Sequence, residues 1–159
     1  MAKSAKIPDK IQIGTNRKAR HHFEILEVFE AGLALKGPEV KSLRDKKVSF
    51  EGTYARVEDD GIFIHKLYIA PYPQNTLEDI APDRTRKLLM HKREIRKLKE
   101  RQDLERLTLT VLEIYFLRGW AKVSLGLARG KKAKDKRADL RKKDASRELS
   151  RSFKGKFRA

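Results

Sequence analysis

A chain of 159 residues with 39 Lys and Arg against 22 Asp and Glu, a formal net charge of +17, is one ordinary domain with an appendage, and its charge seeks a polyanion. The absence of cysteine excludes disulfides, Cys-ligated zinc and thiol catalysis together. No signal-peptide pattern and no run of about 18 apolar residues is present, so the sequence predicts a soluble cytoplasmic protein whose partner is nucleic acid rather than a membrane.

Residues 1–15 are polar and short of core material, which predicts a mobile leader. Asn16-Arg17-Lys18-Ala19-Arg20-His21-His22 is a basic cluster running into an alternating strand pattern over 23–35. Gly32 marks a bulge or bend there, such as small barrels use to turn a corner. Lys36-Gly37-Pro38 breaks the strand, and Pro38 suits the first turn of a short helix over 39–45, with Val40 and Leu43 inward and Lys41 and Arg44 outward. Two further strands are expected at 53–58 and 62–69, joined by a turn at Asp59-Asp60-Gly61. A loop runs over 70–82.

Residues 84–101 read as the longest helix of the body, with Leu88, Ile95 and Leu98 at helical spacing. Nine Lys and Arg crowd this segment. The distal ones read as a solvated face, whereas Arg84, Arg86 and Lys87 are expected beside the helix N-terminus, where phosphates bind well. Strands over 107–117 and 120–128 follow, linked by a turn at Arg118-Gly119. Five or six strands with one short and one long helix predict a mainly β fold, a small antiparallel β-barrel with helices over its ends, with an open α+β sandwich as the alternative.

From Lys131 onward 13 Lys and Arg face 4 Asp and Glu, so +9 of the +17 sits on the last 29 residues. The expected organisation is a leader over 1–15, a barrel body over 16–130 and a basic tail over 131–159. Ala145, Leu149, Phe153 and Phe157 recur at every fourth position. That stripe is too narrow to hold a helix in water, so the tail is expected to be disordered when free and helical on a partner surface. The alternative is a permanently floppy polycation.

Catalytic patterns are not found. His21-His22-Phe23-Glu24 lacks the spacing of a zinc-peptidase helix, and His65 and His91 lie on other elements. Gly126 to Lys132 resembles a phosphate loop only loosely: the gap between its glycines is one residue short and no Ser or Thr follows the lysine. With no nucleophile beside a base, the chain is expected to be no enzyme and to hold no metal or cofactor. Basic residues instead frame the barrel at 17–20, 36–44, 84–87 and 130–137. Aromatics make up 8% of the chain, too few for base stacking to dominate, which favours phosphate and ribose contacts on a structured RNA.

Four segments resemble the bacterial small protein B family: Asn16-x-x-Ala19-x-His21; Glu30-Ala31-Gly32-Leu33-x-Leu35-x-Gly37-x-Glu39-Val40-Lys41-Ser42-Leu43-Arg44; Arg84-x-Arg86-Lys87-Leu88-Leu89; and Gly126-x-Ala128-x-Gly130-Lys131-Lys132-x-x-Asp135-Lys136-Arg137. The resemblance implies a six-stranded oligonucleotide-binding-type barrel. It also implies trans-translation, the rescue of stalled ribosomes: a body that grips the tRNA-like domain of transfer-messenger RNA, stands in for an anticodon arm, and sends its tail from the decoding centre into the vacant mRNA channel. Elongation factor Tu and alanyl-tRNA synthetase act on the same RNA. Carried onto this sequence, the RNA-binding candidates are Asn16, Lys18, Arg20, Glu30, Glu39, Lys41, Arg44, Arg86, Lys87 and Leu89. Those for ribosome engagement are Gly130, Lys131, Lys132, Asp135, Lys136 and Arg137, with Asp135 a candidate cap of the tail helix. Glu30, Glu39 and Arg44 have an alternative reading as an internal salt-bridge set, and Leu89 as core. Pro38, the loop 74–81 and Glu105-Arg106-Leu107 depart from the family pattern. A structural ribosomal protein or a general structured-RNA binder is the alternative function.

Overall fold

The computed structural model describes residues 9–156, apart from the side chains of residues 133, 135, 155 and 156. In chain order the elements are β1 (Lys10–Thr15), α1 (Arg17–His22), β2 (Phe23–Leu33), α2 (Gly37–Arg44), β3 (Val48–Ser49), β4 (Tyr54–Glu58), β5 (Gly61–His65), β6 (Tyr68–Ile69), β7 (Arg86–Leu89), α3 (Lys92–Glu105), β8 (Thr108–Leu117), β9 (Trp120–Gly130) and α4 (Ala133–Lys156). All strand pairings are antiparallel, and the main sheet runs β1-β8-β4-β5-β7-β2-β9. Because β9 also pairs with β8 along its length, six strands close on themselves as a barrel. β3 and β6 form a separate small ribbon.

β8 and β9 make the spine. Their β-branched and aromatic residues suit a pleated, packed surface. Arg118 and Gly119 both adopt positive φ, 50° and 82°, which matches the twist of a two-residue hairpin and sets Leu117 opposite Trp120. Val111, Ile114, Val123, Leu125 and Leu127 fill the barrel with Ile62, Ile64 and Leu88, all at 0–1% exposure. Leu43 of α2 and Leu98 of α3 join the same core from outside the sheet, both fully buried. On the outer face α1 packs on β2 and β8, where Ala19 is buried. Gly126 keeps that face close: a Cβ there would meet Ile25 and Leu112 side-chain carbons at 3.2 Å.

Four expectations change. The leader is, from Lys10, a strand whose residues pair with Glu113–Leu117 of β8. The basic cluster after Asn16 is a short helix, capped by Asn16 Oδ1 accepting from Ala19 N. The helix expected over 84–101 begins only at Lys92, because Arg86–Leu89 is β7. Burial there alternates, with Arg86 and Leu88 in and Lys87 and Leu89 out, and the segment joins β5 to β2. Leu88 shares helical spacing with Ile95 by coincidence; its neighbours are strands. The 62–69 strand is likewise broken at Lys66, where φ is 57°.

Candidate nucleic-acid interface

Cross-strand partners on one face of a sheet point the same way, so the register lays out a surface. Tyr115, Lys122, Gly32 and Leu89 form one row across β8, β9, β2 and β7. Glu113, Ser124 and Glu30 form the adjacent row. Trp120, opposite Leu117, stands beyond Lys122 at the hairpin turn. Glu30 accepts a hydrogen bond from the Tyr115 hydroxyl, and Lys122 Nζ lies 3.9 Å from its carboxylate. Desolvation, helped by the Glu30 charge, pushes the Tyr115 phenol above its ordinary pKa, so it remains a donor. Glu113 gathers Lys10 at 3.1 Å and Gln12 at 3.0 Å, and the Lys10 ammonium lies 4.2 Å from the centre of the Tyr115 ring.

Leu89 is 58% exposed and Trp120 73% exposed, both large apolar groups in the open. They edge a groove of about 440 Å³ lined also by Gly32, Leu35, Val40 and Phe116. A Cβ on Gly32 would meet Leu89 Cβ at 3.1 Å, so the glycine makes the floor on which Leu89 rests. Val40 brings α2 to this groove, and its neighbour Lys41 is exposed, 5.2 Å from the Tyr72 ring centre. Arg44 is exposed on the same helix. The arrangement offers an acceptor carboxylate, a lysine, an indole and apolar ground beside free cations, a set suited to ribose hydroxyls, base edges and one base face.

Two expected contact residues are internal. Glu39 is 4% exposed and Arg86 0%. Glu39 takes Arg84 Nη2 at 2.6 Å and Arg86 Nε at 2.8 Å, and its Oε2 accepts from the Lys36 backbone N–H. Arg86 also donates to the carbonyls of Leu67, Arg84 and Pro82. Burial acts to raise the Glu39 pKa, but the bonds from Arg84, Lys36 N–H and Arg86 outweigh it and hold the carboxyl below its ordinary value. The Arg86 and Glu39 assignments are therefore corrected: they form a buried ion pair that fixes α2 to β7 and to the loop ending at Pro82. Of the three residues with an alternative reading as an internal set, Glu39 is inside, while Glu30 and Arg44 are at the surface.

Asn16 is occupied as well. Besides capping α1, its Nδ2 donates to Val111 O at 3.0 Å and its backbone N–H to Leu112 O at 2.7 Å, pinning α1 to β8. Lys18 and Arg20 are exposed on that helix. A second groove, about 620 Å³, runs between α1 and residues 49–54, lined by Arg17, Lys18, His22, Phe50 and Tyr54. The tail starts beside it. Lys131 N–H bonds His22 O at 3.0 Å; Lys131 Nζ bonds Arg20 O at 3.0 Å and pairs with Asp139 on α4. Lys131 thus seats the tail, whereas Gly130, Lys132 and Arg137 are exposed and Lys136 is half-exposed. Desolvation, then the charges of Lys136, His21 and Lys18, depress the His22 pKa. The Asp135 side chain, and with it the suggested cap, lies outside the described residues, as does Phe157. α4 is one helix, with Leu140, Leu149 and Phe153 exposed along it.

The Lys10, Tyr115, Trp120 and Lys122 contributions were missed from the sequence. The two-residue turn at 118–119 carried the signal, since it fixes Tyr115 opposite Lys122. Among the described residues no group of three or more acidic or His side chains is placed to hold a metal, and no helix is long and apolar enough to cross a membrane.

The family model described as SmpB protein matches residues 13–155. An "SsrA-binding protein" of Thermus thermophilus is 54% identical over 135 residues, 84% of this chain and 94% of the relative. That of Elusimicrobium minutum is 44% identical over 144 residues, 91% of this chain and 92% of the relative. A chain of the solved structure "tmRNA-SmpB: a journey to the center of the bacterial ribosome" superposes with a TM-score of 0.63 at 56% identity, covering 76% of this chain and 85% of that one.

Proposed function

Because this chain belongs to the SmpB protein family, we propose that it is a non-enzymatic RNA-binding adaptor of ribosome rescue, which binds the tRNA-like domain of transfer-messenger RNA and carries it to stalled ribosomes in the cytoplasm. The observation that carries this reading is the open strip of Glu30, Lys122, Leu89 and Trp120 beside the cations of α2, on a rigid closed barrel. Its groups are acceptors, donors and apolar faces rather than an acid–base pair beside a nucleophile. Lys41 and Arg44 supply phosphate contacts, while Glu30 accepts from base amino groups or 2′-hydroxyls and so adds shape selection to charge. The tail, with Lys132, Asp135, Lys136 and Arg137 at its root, engages the decoding centre and the vacant mRNA channel. Elongation factor Tu and alanyl-tRNA synthetase act on the same RNA beside it.

The test is a salt-titrated binding comparison of the full chain on the tRNA-like domain and on an ordinary tRNA. A preference for the former that survives at physiological salt is expected. Equal affinities that fall together as salt rises would leave only charge attraction and defeat the reading.

A further inference from the structure

Leu89 lines two grooves, not one. On its far side from Trp120 lies a groove of about 540 Å³ between α3 and the turn joining β4 to β5. The α3 wall carries Lys92, Arg96 and Lys99; Lys87 of β7 enters beside Gly61 of the turn, and Leu88, Met90 and Ile95 complete the lining. We propose that the RNA track continues across Leu89 into this groove, where Lys87, Lys92, Arg96 and Lys99 hold successive phosphates of the RNA backbone. The proposal rests on the reading of the chain as an RNA-binding adaptor and enlarges its footprint.

The helix divides its cations by use. On one side Lys97 and Arg101 both bind Glu27 of β2, and Arg101 also reaches Glu105, so these cations fasten α3 to the barrel. Lys92, Arg96 and Lys99 fall on the other side, at steps of four and three that place them on one stripe. Neither they nor Lys87 has an acidic partner within 4.0 Å among the described residues. Like charges at these spacings repel, and an arriving polyanion relieves that repulsion. The seven helical steps from Lys92 to Lys99 rise about 10 Å, so the three cations form a line rather than a point of charge.

The opposite wall narrows the choice of ligand. Glu58, Asp59 and Asp60 line it, and Glu58 is held by His65 at 2.9 Å. A backbone lying here must follow the α3 side, which gives the track a direction. The groove has no aromatic residue in its lining, so it takes ribose and phosphate rather than stacked bases. Gly61, at φ +135°, fixes the turn that carries this wall, and Lys87 Cε lies beside it.

The experiment uses the full chain and the tRNA-like domain of transfer-messenger RNA as probe. One variant combines Lys92→Gln, Arg96→Gln and Lys99→Gln; a control of equal charge combines Lys46→Gln, Arg56→Gln and Lys66→Gln, exposed cations elsewhere on the body. Thermal melts establish that both fold. The α3 variant is expected to lower the slope of log K against log salt by roughly two, at about 0.7–0.9 per lost phosphate contact, and to bind at least about tenfold more weakly at physiological salt. The control is expected to change the slope by less than about one. Equal effects of the two variants overturn the groove. Whether the unaltered chain prefers this RNA over ordinary tRNA decides the adaptor reading separately, so the two failures are distinct.

Discussion

Glu39 and Arg86 illustrate how one buried pair can hold three segments. Removing a partner leaves the other charge in the interior, so Glu39→Gln is expected to destabilise the chain by about 3 kcal/mol at neutral pH, measured by urea unfolding. Glu39 titrates below its ordinary 4.5 when folded, so its stabilisation is complete above that value and is lost as pH falls through the folded-state pKa. The difference between wild type and variant is therefore expected to shrink on the acid side of the carboxylate range. Trp120 makes a second test at this scale. It is the single tryptophan and is 73% exposed, so RNA seated on the Leu89 groove is expected to change its fluorescence. An unchanged spectrum at saturation would remove the indole from the interface. What hid these roles in the sequence was chemistry shared between uses. Arg86 and Asn16 have the side chains of RNA ligands, and only the pairing of β7 and the seat of α1 on β8 reveal that both are already engaged.

Among the elements, the long strands, the hairpin at 118–119 and α2 were readable because alternation, turn residues and Pro38 agreed with one another. Residues 84–91 were not, since a four-residue strand has too few alternations to outweigh a helical coincidence at Leu88 and Ile95. β1 was missed for a related reason. Its burial pattern has one buried residue, Ile13, and its stability comes from β8 rather than from its own apolar content. The contact between α1 and α4 gives a further prediction. Lys136 is among the charges that depress His22, so Lys136→Gln is expected to move the His22 pKa up toward 6.5, followed by the ring resonances in an NMR titration. No movement would mean that in solution the root of the tail stands away from α1.

The molecule as a whole divides its work between a barrel closed by β8 and β9 and a helix that meets it chiefly at α1. Ending the chain before Lys131 is expected to preserve binding to the tRNA-like domain and to abolish peptide tagging on stalled ribosomes; parallel loss of both would deny that division. The same closure has a cost during synthesis. β2 is among the first strands made, yet its longest pairing is with β9, which ends at Gly130. At about 5–20 residues per second, roughly 5–20 s separate the emergence of the two. Through that interval β2 lacks this partner and β8 has not yet closed the ring, so the nascent chain offers bare strand edges to its neighbours. A product whose message is cut short before β9 remains in that state permanently, with an open sheet that can stick but cannot serve.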